Sequence, residues 1–445
     1  MGFLALVIIA IVLYILNYKH FAFVFFFFFL TSGFNLVPEE LTDIGFISKG
    51  SDFAFFILSG IIIIDSFCIR KYWNPDRLTG YLLVFGSFLI LCIFYSKWTV
   101  GLGWSEIIRT CRYQFFWLAY FVFRNMEKAQ LEKLLQFLFD VTVVLSVLFL
   151  LQIVLDVTIL NETVNYRFGI FGMILPRYYN QPDMIQFFTL MAIYHNPHKG
   201  WLKVCTTVLL VLALLGAFHR SLFGMFLITL MLAYALKLPQ LQKIRFLSVL
   251  AFVLICGISF TGIHFMRSRT FMDLQHIASG NFAEAEDIDV EDFQKSTFTF
   301  RIALLYERNQ YIMKQPQTML LGVGLIPEDS NKTKMFDFKI GLLDEITEEV
   351  IQTETGDISY ANLIFKLGYI GTALYLSLLI YLTVFFYKKR DNIYGMLSFL
   401  FLIFSFGVSF FSGNLLLPAT YLLPLISYVI IQKTDSHSYP EYKSL

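Results

Sequence analysis

Apolar runs of about 15 to 22 residues recur along nearly the whole of this 445-residue chain, and a bilayer-spanning helix needs about 20 such residues. Charged residues make up 15% of the sequence, against about 25% in an average soluble protein. The chain therefore reads as an all-α integral membrane protein. Candidate spans fall at 3–18, 21–37, 52–68, 80–97, 113–124, 135–155, 182–195, 201–218, 221–236, 246–266, 358–387, 393–411 and 414–432. The run at 113–124 is the weakest, and only Tyr18-Lys19-His20 separates the first two. About 12 or 13 transmembrane helices are expected.

Short loops give the orientation, because Lys and Arg collect on the cytoplasmic side. Arg70, Lys71 and Arg77 mark one such loop. Lys199 with Lys203, Lys237 with Lys243 and Arg245, and Lys388 with Lys389 and Arg390 mark three more. Opposite loops are acidic or neutral, as in Pro38-Glu39-Glu40-Leu41-Thr42-Asp43. The chain then divides into an N-terminal transmembrane bundle (1–266), a large extracytoplasmic loop with short helices (267–357), C-terminal transmembrane helices (358–432) and a cytoplasmic tail (433–445).

Several features point away from other classes. The net charge of +1 leaves no footprint for nucleic acid. Cys68, Cys92, Cys111, Cys205 and Cys256 form no CxxC pair and read as small hydrophobes, with no metal site. The N-terminus lacks a basic stretch and a cleavage signature, so it reads as a retained first span. The run Phe25 to Phe29 fits a lipid-facing helix surface. Asp140 lies inside an apolar span and reads as a satisfied carboxylate or a relay.

Cations survive at selected places in this apolar sequence. Arg220 sits between two spans in Ala217-Phe218-His219-Arg220-Ser221-Leu222. A cation beside a membrane is costly without a partner and is a functional candidate by default. Arg301 and Arg308 lie in the long loop, on a pattern that is helical from Phe298 to Gln315; seven apart, they project from one side. Pro316 ends that run, and Leu320-Leu321-Gly322-Val323-Gly324-Leu325 follows as a turn. Guanidinium groups gathered on one face suit a phosphate or diphosphate. Glu354 and Asp357, three apart at the end of the loop, would share a helical face just before Tyr360. A second outer segment, Asn165 to Gly172 and then Pro176 to Asp183, mixes Arg167 and Arg177 with aromatic rings and the amides of Asn180 and Gln181. It reads either as a sugar-binding surface or as an interfacial aromatic belt. Arg109 and Arg112 lie on a short outer stretch and read as added charge for a carrier or as a grip on lipid phosphate.

Three segments in order resemble the bacterial O-antigen polymerase and O-antigen ligase superfamily. Arg167-Phe168-Gly169 to Asn180 resembles its Arg-x-x-Gly stretch and following Pro-Asn element. Gly216-Ala217-Phe218-His219-Arg220-Ser221 resembles its small-Arg-small segment opening a span. Arg301 through Pro316 to Gly322-Val323-Gly324-Leu325 resembles Arg, a helix, Pro, then Gly-x-Gly-Leu. Gly368-Tyr369-Ile370-Gly371 is similar to the family's Gly-x-x-Gly, so the likeness covers roughly 165 to 385.

The resemblance implies a glycosyltransferase at the outer face of the bacterial cytoplasmic membrane that needs neither metal nor nucleotide and takes no cofactor. Its donor would be a polyprenyl-diphosphate-linked glycan, its acceptor another glycan, and a flippase and a chain-length regulator its companions. Arg220, Arg301 and Arg308 are the expected diphosphate ligands. Arg167, Asn180, His219 and Tyr360 are the expected substrate contacts. Asp357 or Glu354 is the expected base, although an ordinary carboxylate pKa of about 3.9 must be raised for that task. The ligases carry a His-Asn pair at the end of the loop. Counting back from Gly368 lands at Asp357-Ile358, with no histidine. Polymerisation of lipid-linked repeat units is thus the leading expectation. Transfer of finished glycan to a lipid or protein acceptor is the alternative, and a membrane transporter the third.

Overall fold

The computed structural model describes residues 2–42, 49–68, 76–161, 165–170, 173–236, 297–341, 350–353, 355 and 358–438. Helices dominate them. In chain order the longer ones are α1 (Gly2–Ile15), α2 (Lys19–Leu30), α3 (Gly50–Cys68), α4 (Arg77–Tyr95), α5 (Trp104–Phe115), α6 (Ala119–Arg124) and α7 (Lys128–Leu155). A hairpin of β1 (Asn165–Ile170) and β2 (Met173–Tyr178) follows. Then come α8 (Ile185–His195), α9 (Gly200–Gly216), α10 (Arg220–Ala235), α11 (Thr297–Met313), α12 (Pro316–Leu321), α13 (Ser359–Lys388), α14 (Ile393–Val408) and α15 (Pro418–Ser438). The antiparallel hairpin, with Tyr166 opposite Arg177 and Arg167 opposite Pro176, is a small departure from the all-helical expectation. The expected span at 246–266 lies outside the described residues.

Three helical stretches, Arg77–Val100, Lys128–Leu155 and Ser359–Lys388, are long and apolar enough to cross a membrane. Other apolar helices, among them α1, α2, α8, α9 and α14, run only 10–17 residues. At about 1.5 Å per residue these fall short of a hydrocarbon layer of about 30 Å. Local signals set the ends. Asp76 caps α4, accepting from the Thr79 backbone N–H at 2.9 Å, and Asn392 caps α14 through the Tyr394 N–H at 2.9 Å. Gly368, at φ +67°, breaks α13 internally.

The core is aromatic and aliphatic. α14 packs against α8, α10, α13 and α15, and both α14 and α15 are buried along nearly their whole apolar length, as a helix that is hydrophobic all round requires. The phenylalanine run is corrected in part. Phe26, Phe27 and Phe29 are at most 1% exposed, as is Phe23 before them, because α2 is enclosed by α1, α3 and α7; Phe25 and Phe28 are half-buried. Phe26 meets Phe116 edge-on at 5.5 Å, and Phe23 packs on Phe123 at 4.8 Å. The outward-facing apolar surface lies elsewhere: Leu83, Val84 and Leu91 on α4, Val154 on α7 and Val204 on α9 are each more than half exposed.

Polar contacts sort the helix termini into two ends. At one end Arg112 pairs with Asp52 at 2.6 Å, Leu325 N–H donates to Ser96 Oγ at 2.9 Å, and Arg177 reaches the Ala217 carbonyl. The hairpin, α5 and the segment from α11 to the glycine turn therefore share this end. At the other, Tyr14 donates to Asp65 at 2.6 Å, Lys19 and Lys433 reach the carbonyls of Asn125 and Arg124, and Lys389 meets Asp435. Asp76 gathers the second end: Tyr120, Tyr428 and Gln432 all donate to its Oδ2. Burial opposes its charge, yet the donors Thr79, Tyr120 and Gln432 outweigh that and bring its pKa down to about 2.

Candidate functional site

The link between α9 and α10 is only Ala217-Phe218-His219, and it turns sharply. Phe218 takes a left-handed conformation, φ +51°, which a bulky residue seldom adopts. Its N–H donates to the Leu215 carbonyl at 2.9 Å. His219 is then extended as the N-cap, and Arg220 opens α10. For Arg220 the backbone alone is described. That backbone places it at the positive end of a 16-residue helix, a natural seat for an anion.

Two arginines from distant elements converge on this link. Arg177, at the end of β2, donates from Nε to the Ala217 carbonyl at 3.3 Å and brings Nη2 to 3.2 Å from His219 Nδ1. Its guanidinium covers the Tyr179 ring at 4.7 Å, and Tyr179 meets the imidazole edge-on at 5.3 Å. Arg301, in the first turns of α11, lies with its guanidinium 6.0 Å from the Phe411 ring. It is near enough to act on His219 electrostatically. Burial first, then Arg177, then Arg301, pull the His219 pKa down to about 4, so the imidazole is neutral at pH 7. The result is a concentration of positive charge around a helix N-terminus, with a neutral imidazole and an aromatic ring beside it. Such a set can hold a phosphate or diphosphate.

The other expected residues are placed as follows. Arg308 does not join this cluster. Its side chain is 1% exposed and bonded to Glu307 at 2.6 Å and to the Ile340 carbonyl at 3.0 Å, with the Phe338 ring 3.7 Å from the guanidinium. The seven-residue spacing placed Arg301 and Arg308 on one side of α11, but two turns further on that side meets protein. Burial lowers the Arg308 pKa to about 10 even though Glu307 opposes this. Asn180 is 3% exposed; it accepts from Gln152 at 2.6 Å and donates to the Leu160 carbonyl at 2.9 Å, which ties the hairpin to α7. The Tyr360 hydroxyl donates to the Phe406 carbonyl at 3.0 Å, joining α13 to α14. Arg167 is described by its backbone alone, opposite Pro176. Glu354 and Asp357 lie outside the described residues.

Arg109 and Arg112 are engaged by carboxylates: Arg109 holds Asp329 through two bonds, 2.8 and 3.1 Å, and Arg112 holds Asp52. Asp140 meets His198 at 3.3 Å. Among the described residues no group of three or more His, Cys, Asp or Glu stands close enough to hold a metal ion. The Gly-x-Gly turn serves backbone packing. A Cβ on Gly322 would stand 2.6 Å from the Lys366 carbonyl oxygen, and one on Gly368 would stand 2.6 Å from Gly322 N. Both glycines have positive φ, so two bare backbones cross here.

Arg177 and Tyr179 are the contributors to which the sequence assigned no role of their own. The available signal was local: an arginine between Pro176 and two tyrosines in an outer segment. No protein-family model matches this chain, and no curated protein matches it either.

Proposed function

We propose that this protein is a membrane-embedded glycosyltransferase that joins polyprenyl-diphosphate-linked repeat units into a surface polysaccharide, at the outer face of a bacterial cytoplasmic membrane. The observation that carries the reading is the meeting of Arg177 and Arg301 at His219, directly before Arg220 and the N-terminus of α10. The exposed aliphatic faces of α4, α7 and α9 fit contact with lipid, and short loops rich in lysine at the end opposite the site fit the cytoplasmic side. The family resemblance in the three motifs supports the same assignment.

In this reading the acceptor hydroxyl attacks the anomeric carbon of the donor. A C–O bond forms there while the bond to the diphosphate oxygen breaks, inverting the centre. The hydroxyl proton passes to a carboxylate, Asp357 or Glu354. The electron pair leaves on polyprenyl diphosphate, whose charge Arg220 and Arg301 stabilise as fixed cations, with Arg177 adding to the local field. The missing histidine at the end of the loop favours polymerisation over ligation.

Arg220→Ala and Arg301→Ala are each expected to lower chain extension by about a hundredfold or more while the protein still inserts and folds. Lipid-linked glycans from a strain carrying either variant provide the readout. Accumulated single repeat units support a polymerase. Accumulated long carrier-linked chains would mean a ligase instead, and normal chain length in both variants would remove the diphosphate clamp.

A further inference from the structure

Arg177 decides which nitrogen of His219 carries the proton. A guanidinium has only donors, so Nη2, 3.2 Å from Nδ1, must donate and Nδ1 must accept with its lone pair. The proton of the neutral ring then sits on Nε2. A protonated ring would set one N–H against another at this contact. Arg177 is itself held by the Ala217 carbonyl and by the Tyr179 face, and Tyr179 also meets the imidazole. The ring is thus fixed in both orientation and tautomer. Among the described residues Nε2 meets no acceptor, and the residue is only partly buried.

Resting on the diphosphate reading of this site, the geometry points to His219 as a neutral hydrogen-bond donor that presents Nε2–H to an oxygen of the bound diphosphate, with Arg177 as the positioning residue that sets this tautomer. The assignment has a chemical consequence. A neutral donor adds a directed bond to the leaving group without adding a further full charge to a site that already holds Arg177 and Arg301. It also leaves His219 unable to serve as a general base: its one lone pair is committed to Arg177, so the acceptor's proton must go elsewhere. The depressed basicity of the ring agrees with this.

The test is 15N NMR of the full-length protein, labelled at histidine and held in lipid nanodiscs at pH 7, with the His219 signals assigned by their loss in His219→Gln. The expected result is a protonated Nε2 and an unprotonated Nδ1, with inorganic diphosphate shifting the Nε2 signal saturably. Arg177→Ala is expected to release the ring into a mixture of both tautomers. His219→Gln, whose amide N–H stands near the Nε2 position, should keep diphosphate affinity within about threefold. His219→Ala should weaken it about tenfold, the usual worth of a hydrogen bond to a charged group. A proton on Nδ1, an imidazolium at pH 7, or wild-type affinity in His219→Ala would each overturn the assignment. If the wild-type protein binds no diphosphate at all, the diphosphate reading fails and the donor role fails with it. The ligand-free spectrum still decides the tautomer in that case.

Discussion

An arginine is defined by what its planar fork can reach, and at this end of the molecule the forks are put to different uses. Arg112 and Arg109 close on carboxylates, Arg308 on Glu307 and an aromatic face, and Arg177 on an imidazole and a carbonyl. Arg308 is a cation that holds structure, in contrast to the role proposed for Arg301. With its side chain 1% exposed and that of Glu307 23% exposed, Arg308→Ala leaves a carboxylate without its cation. The expected loss is about 3 kcal/mol, seen as a lower thermal midpoint in detergent with diphosphate binding retained by the folded fraction. An unchanged midpoint with lost binding would return Arg308 to the ligand site. The sequence made Arg220 and Arg301 visible because a cation between apolar spans is conspicuous. It assigned Arg177 no role of its own, because that residue's role depends on a hairpin register and on a contact with a histidine 42 positions later, and neither leaves a local pattern.

Elements show the same division between local and long-range information. Helix positions followed apolar runs closely: the expected 52–68 and 358–387 appear as α3 (Gly50–Cys68) and α13 (Ser359–Lys388). Which face of a helix is buried was less legible. A helix made of phenylalanine has no polar side to mark, so only its enclosure by α1, α3 and α7 reveals that Phe26, Phe27 and Phe29 lie in the core. Gly368 is a second case. In the sequence it stands out only as part of Gly368-Tyr369-Ile370-Gly371, whereas in the fold it is a break with positive φ against Gly322. Gly368→Ala is expected to cost at least about 2 kcal/mol, since strained backbone and overlap with main-chain atoms add together. Gly86→Ala on α4, where an added Cβ meets nothing within 4 Å, is the matched control and should be neutral or stabilising by up to about 1 kcal/mol. Equal thermal midpoints for the two variants would refute the crossing.

For the whole molecule, the two sets of helix ends give a definite sidedness. Asp329 belongs to the end that carries the hairpin and the candidate site, and Asp391 sits in the turn between α13 and α14 at the opposite end. In a cysteine-free background, Asp329→Cys is expected to react with a membrane-impermeant maleimide on intact cells. Asp391→Cys should react only after permeabilisation. Labelling of both from one side would refute the proposed topology, whatever the chemistry of the site.

The passage of Gly322 against Gly368 carries a consequence for biosynthesis. The earlier strand of that crossing leaves the ribosome well before the later one exists, so the segment from α11 to the glycine turn must wait, unseated, until α13 has been made and laid beside it. Phe411, whose ring lies 6.0 Å from the Arg301 guanidinium, is made later still, beyond α14. A nascent chain halted before α13 should therefore present this region as an open, protease-sensitive surface, and the candidate site would be completed as one of the last events of maturation.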